Sequence, residues 1–137
     1  MSADTGSLAA FLDARLDEEE AAARLAAREG GTWTQDDPIR YPGSISSLGG
    51  PVVYDEGNPD EYQAAHIARH DPARALREIK AHRAIAVAYR TIALDFTHVN
   101  ETEFEFARRE ALEQACENLA GIWDDHPGYR PAGDWSP

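Results

Sequence analysis

The stretch AAHIARHDPARALREI, residues 64–79, holds the side chains best suited to chemistry. His66 and His70 stand four apart, a spacing that puts two imidazoles on one helix face, one turn from each other. Such a pair suits a zinc, nickel or iron ion, and Asp71 adds a carboxylate directly after it. A usable metal site needs a third ligand, and a catalytic one also needs a placed acid or base. Asp71 is the nearest candidate. His82, His98, His126, Asp124 and Asp125 are others, but their spacing says nothing about whether they meet the pair.

The same residues have an ordinary structural reading. Asp71 is a favoured N-cap, and Pro72 sits at the first helical position, where its missing N–H costs nothing. His70 then lies at a helix C-terminus, where the backbone dipole favours a cation, and His66 packs or hydrogen-bonds. The metalloprotease pattern is excluded, because Ile67 stands where glutamate is required. The pair His70–Asp71 with Asp95 later in the chain partly matches the HD phosphohydrolases. Against that match, His66 is one turn away and not on a separate helix.

Other candidate sites are thinner. Arg69, Lys80 and Arg83 form a basic set that would suit an anion or phosphate. GSISSLGGP lacks the lysine and the strand–helix setting of a phosphate loop. Cys116 falls on the apolar side of a helix, where a cysteine is a small hydrophobe rather than a nucleophile.

These residues must be positioned by a mainly α (α+β) fold: a small helical bundle around a long central helix, with a short β-hairpin insert near residues 32–54. Ser7 can cap a first helix that ends at Gly30–Gly31, with Leu8, Phe11, Leu12, Leu16 and Leu25 on its apolar side. The acidic run Asp17–Glu20 reads as a solvated face. Extended pieces are expected around Thr32–Thr34 and Pro51–Tyr54, with SSLGGP as the turn and Trp33 and Tyr54 packed as anchors. Helix resumes near Asp60, breaks at His70 and restarts at Pro72, running to about Asp95.

Residues 84–94, AIAVAYRTIAL, are apolar on nearly every side. Such a helix is buried all round, either centrally or against a second subunit. Ile85, Tyr89 and Ile92 are therefore the expected partner-binding residues. Asn100 and Glu103 suggest a capping box for a last helix reaching about Trp123, with Phe104, Ala107, Ala111, Leu112, Ala115, Leu119 and Ile122 on its apolar face. Residues 1–123 read as one domain, with 124–137 an irregular tail held back by Tyr129 and Trp135.

Composition bounds the function. With 137 residues the chain can bury a core unaided, and 28% charged residues imply a heavily solvated surface. A net charge of −12 opposes direct binding to nucleic-acid phosphates. The charge is uneven, at −8 over residues 1–60, +2 over 61–100 and −6 over 101–137. No apolar run approaches the ~18 residues of a membrane span. One cysteine and the lack of a signal-peptide pattern point to a cytoplasmic setting.

Taken in order, AFLDARLDEEE, VVYDEG, AAHIARHDPARALREIKAHR and DHPGYRPAGDW resemble an uncharacterised domain-of-unknown-function family of small actinobacterial proteins, found also in phages and prophages. The resemblance covers most of the chain and assigns no activity. Members of that family often carry a cysteine cluster between the long helix and the tail. Here FTHVNETEFEFARREALEQACENLAGIW stands instead, with one cysteine, which implies loss of any metal site built on that cluster.

The leading expectation is a non-enzymatic interaction or regulatory module without cofactor, working through a protein partner or as a homodimer. The alternative is a metal-binding protein or metal-dependent hydrolase that uses a divalent metal such as zinc on His66, His70 and Asp71.

Overall fold

The computed structural model describes residues 7–93 and 100–136. Expectations that fall on Asp95 and His98 lie outside the described residues. Helices α1 (Leu8–Ala26), α2 (Glu61–Arg69), α3 (Pro72–Ala93) and α4 (Glu103–Ala120) carry most of the described chain, and a 3₁₀ turn at Gly121–Trp123 extends the last. Strands β1 (Thr34–Gln35), β2 (Ile45–Ser47) and β3 (Gly50–Val53) form a small antiparallel sheet in that order. The fold is mainly α with a small β insert. The chain divides into two compact units, Met1–Glu18 with Lys80–Pro137, and Glu19–Ile79.

In the first unit, α1 opens where Ser7 Oγ accepts the Ala10 N–H at 3.1 Å, the expected cap. Leu8, Phe11, Leu12 and Leu16 are buried, as are Ala86 on α3 and Cys116 and Ala120 on α4. Cys116 lies against α3, its thiol donating to the Ile85 carbonyl at 3.9 Å. The capping box of α4 is Thr102 with Glu105 rather than Asn100 with Glu103. Thr102 Oγ1 accepts the Glu105 N–H at 3.2 Å, and Glu105 Oε2 accepts the Thr102 N–H at 3.1 Å. Both pairs satisfy the same spacing. The extended backbone at Thr102 decides between them.

In the second unit, the expected two-stranded hairpin is a three-stranded sheet. β2 lies inside a segment that reads as a turn. Serines are poor strand signals, but Ile45 is fully buried and fixes the strand. Asp36 Oδ2 accepts from Ser44 Oγ at 2.5 Å and Ser46 Oγ at 2.9 Å, which ties β2 to the end of β1. A bulge between Ile45 and Ser46 sets Ser46 opposite Pro51, which has no N–H to give and sits on the edge strand β3. Gly43 lies so close to the Pro59 carbonyl that a β-carbon there would collide with it.

Three expectations about packing fail. Leu25 is 66% exposed, because it lies about 200° round the α1 axis from buried Ala23 at 3.6 residues per turn. Tyr54 is exposed, and only Trp33 of the two expected anchors is half-buried. The 84–93 stretch is not covered on all sides. Ala84, Val87 and Thr91 face solvent at helical spacing, whereas Ala86 is buried.

Candidate functional site

Helix α2 positions the histidine pair, and the sequence starts and stops it cleanly. Asp60 accepts the Gln63 N–H at 2.8 Å, and Gln63 Oε1 accepts the Asp60 N–H at 2.9 Å, a reciprocal cap at the N-terminus. At the other end the His70 N–H reaches the His66 and Ile67 carbonyls. The four-residue spacing brings the two rings together, with centroids 4.2 Å apart and planes tilted by 34°. Both residues are exposed. His70 Nδ1 lies 2.8 Å from the His66 carbonyl oxygen, to which it donates.

Asp71 is 8% exposed, and both of its oxygens are used. Oδ1 accepts the Arg74 N–H at 2.8 Å, capping α3, and Oδ2 accepts the Trp33 N–H at 3.1 Å. A parallel backbone bond from the Ala73 N–H to the Gly31 carbonyl, 2.9 Å, doubles that tie. The carboxylate therefore joins the chain after α1 to the first turn of α3. Among the described residues, no group of three or more His, Cys, Asp or Glu side chains gathers around one point.

Beside His66 runs an open groove of about 790 Å³, lined by Asn58, Pro59, Tyr62, Gln63, His66 and Ile67. The Asn58–Pro59 peptide is cis, and Tyr62 is 77% exposed. A second groove of about 340 Å³ has Leu25, Arg28, Trp33, Ser47, Pro51 and Val52 among its lining residues. Sequence reasoning missed both grooves. Tyr62 and Pro59 lie in a polar stretch, DEGNPDEY, that gives no apolar period to follow.

The basic candidates fall in different units, with Arg69 in the second and Lys80 and Arg83 in the first. Arg69 and Lys80 are exposed, while Arg83 Nη1 donates to Asp17 at 3.0 Å. The expected partner-binding residues Ile85, Tyr89 and Ile92 are half-buried on α3. Burial, with Glu113, Cys116 and Glu117 close by, raises the Tyr89 hydroxyl above its usual range, which places that side chain towards α4. The same environment pushes the Cys116 thiol up to about 11. A thiol so buried and so reluctant to ionise is no nucleophile.

Large apolar side chains are left in solvent on both units, Ile39, Leu48 and Tyr62 among them on the second, and on the first they are other than Ile85, Tyr89 and Ile92. Phe104 is 77%, Ile122 56%, Phe106 45% and Val87 42% exposed. Ala107 and Ala111 of the expected α4 core face are exposed as well. Arg109, with its guanidinium 5.2 Å from the Phe106 ring centroid, is paired to Glu101 at 2.7 Å, which raises its basicity further.

A family of unknown function, DUF6221, matches residues 5–137. The chain belongs to that family. No curated protein matches it, and no solved structure does. Among the described residues no helix is long and apolar enough to cross a membrane.

Proposed function

We propose that this member of DUF6221 is a non-enzymatic protein-interaction module, acting in the cytoplasm, that binds a protein partner or a second copy of itself through α3 and α4. One observation carries this reading: Val87, Phe104 and Ile122, which read as buried positions of α3 and of the last helix, stand substantially in solvent, and Phe106 does so close to Phe104 in sequence. Where exposed large apolar side chains form a contiguous patch they serve as an interaction surface, and Val87, Phe104 and Phe106 are the ones that α3 and α4 offer. The raised Cys116 thiol and the full use of both Asp71 oxygens fit a module without chemistry of its own. An acidic surface, from a net charge of −12, would suit a basic partner, and a phage or mobile-element origin is what the family resemblance implies.

The test is the oligomeric state and partner capture of wild-type chain beside Phe104→Glu, measured by light scattering and pull-down. The reading requires that Phe104→Glu, with unchanged circular dichroism, abolishes an association that the wild type makes. A wild-type chain that stays monomeric and captures nothing would sink it.

A second reading, metal binding, is favoured by the histidine geometry. A metal-bound histidine typically gives its other ring N–H to a carbonyl, and His70 Nδ1 does this with the His66 oxygen. In this reading His66 and His70 hold a divalent ion such as zinc, together with a ligand from outside the described residues or from a partner. Elemental analysis of protein never exposed to chelator or nickel resin, beside His66→Ala, decides it: the reading predicts near-stoichiometric metal that the variant loses.

A further inference from the structure

The groove beside α2 belongs wholly to the unit Glu19–Ile79, and its walls are fixed by the rest of that unit. Its lining follows one stripe of the helix: Tyr62 and His66 are four apart, Gln63 and Ile67 likewise, and Pro59 stands three before Tyr62. Ala64, fully buried, holds another face of α2 against the unit. The Pro59 carbonyl packs against Gly43, with Asp55 Oδ1 3.4 Å from where a Gly43 β-carbon would stand. Gln35 Nε2 donates to the Glu61 carbonyl at 2.9 Å and to the Pro42 carbonyl at 3.3 Å, which fastens the start of α2. A groove fixed in this way loses little freedom when it binds.

The lining combines flat apolar surface with hydrogen-bond donors. Tyr62, 77% exposed, and Pro59 supply the rings. Asn58 is exposed with its amide, Tyr62 adds a hydroxyl, and Gln63 commits Oε1 to the Asp60 N–H, leaving Nε2 to donate. A helical peptide would bring carbonyls already bonded within itself. A polyproline II segment has no internal hydrogen bonds, so its carbonyls need donors while its proline rings need apolar walls. The lining from Pro59 to Ile67 runs about 12 Å at a rise of about 1.5 Å per residue, a length that about four polyproline II residues cover at about 3.1 Å each.

Charge sets the rest of the occupant. Asp55, Glu56, Asp60 and Glu61 are all exposed and flank Asn58 and Pro59 in the chain, so that end of the groove is acidic. Arg69, also exposed, stands two residues past Ile67, at the other end. An arginine or lysine beside the prolines is attracted to the acidic end, and a carboxylate there is repelled.

The geometry points to a docking groove for a proline-rich peptide segment in the polyproline II form. Its prolines lie against Tyr62 and Pro59, and a flanking arginine or lysine sits at the acidic Pro59 end. The groove is on the other unit from the α3–α4 surface, and the inference does not depend on that reading.

The test titrates the full chain into a fluorescein-labelled decaproline that ends in two arginines, read by anisotropy. Saturable one-to-one binding is expected, at least about tenfold tighter than to a decaproline ending in two glutamates. Tyr62→Ala should weaken it about thirtyfold, the loss of a central aromatic anchor, with circular dichroism unchanged because the side chain is exposed. Glu56→Lys combined with Glu61→Lys should reverse the preference between the two peptides. Leu48→Ala, at a fully exposed position of the same unit outside the groove, should bind as the wild type does. Absence of saturable binding overturns the inference. So does equal binding of a glycine–serine peptide with the same two arginines, which would make the contact one of charge alone, or tighter binding of an amphipathic helical peptide. Self-association of the unlabelled chain that Tyr62→Ala abolishes would make the occupant a second copy, and overturns it as well.

Discussion

In the unit formed by Met1–Glu18 and Lys80–Pro137 the distinctive contacts are between rings and apolar surfaces, gathered on Phe11 and on the α3–α4 pair around Cys116. In the unit Glu19–Ile79 they are hydrogen bonds from side chain to backbone. Asp71 reaches Trp33, Asp60 caps α2, and Gln35 Nε2 reaches the Glu61 carbonyl at 2.9 Å. The second unit has few buried apolar side chains, Ile45 and Ile79 being the large ones, so polar ties carry its geometry. The comparison reverses first impressions from the residue types. The acid that looks like a metal ligand has both oxygens bonded to backbone N–H groups, and some of the apolar side chains that look like core stand in solvent.

The contrast can be broken in order of expected effect. Phe11→Ala should destabilise the chain most, by about 3–5 kcal/mol, since it empties the site on which four rings converge. Urea unfolding measures this. A loss below about 1 kcal/mol would show that the tail is not held by that ring.

Asp71→Ala should follow at about 2–4 kcal/mol, combining a lost helix cap with an amide left unpaired at Trp33. Hydrogen exchange should accelerate at the Trp33 and Arg74 amides before it does elsewhere. Equal acceleration across the chain would mean that Asp71 is not a local tie.

Cys116 tests the first unit at alkaline pH. The unfolded thiol gives up its proton near 9 and the folded one only near 11, so the folded state binds the extra proton in between. Stability is therefore full below pH 9 and falls as the pH rises through that interval, on the order of 2 kcal/mol in all. Melting temperature against pH should show the decline, and Cys116→Ala should remove most of it below pH 10. A thiol reagent should likewise leave native Cys116 unmodified at pH 8.

The smallest effect belongs to the exposed pair Arg24–Glu20, 2.9 Å apart on α1. Glu20→Ala should change stability by less than about 0.5 kcal/mol, which salt-dependent melting can check.

The sequence by itself determined the helices, the break between α2 and α3 and the cap at Asp71, because those depend on spacing and on side chains bonding to nearby backbone. The meeting of His66 and His70 was equally legible, as one turn of helix settles it. Tertiary structure alone decided where Asp71's second oxygen goes and how Asp36 gathers two serines into β2. It also decided that His126 faces Arg15 across 111 residues of chain. No local period encodes such pairs. Each is chosen by which surfaces come together when the chain packs, and so is the choice of apolar side chains left uncovered.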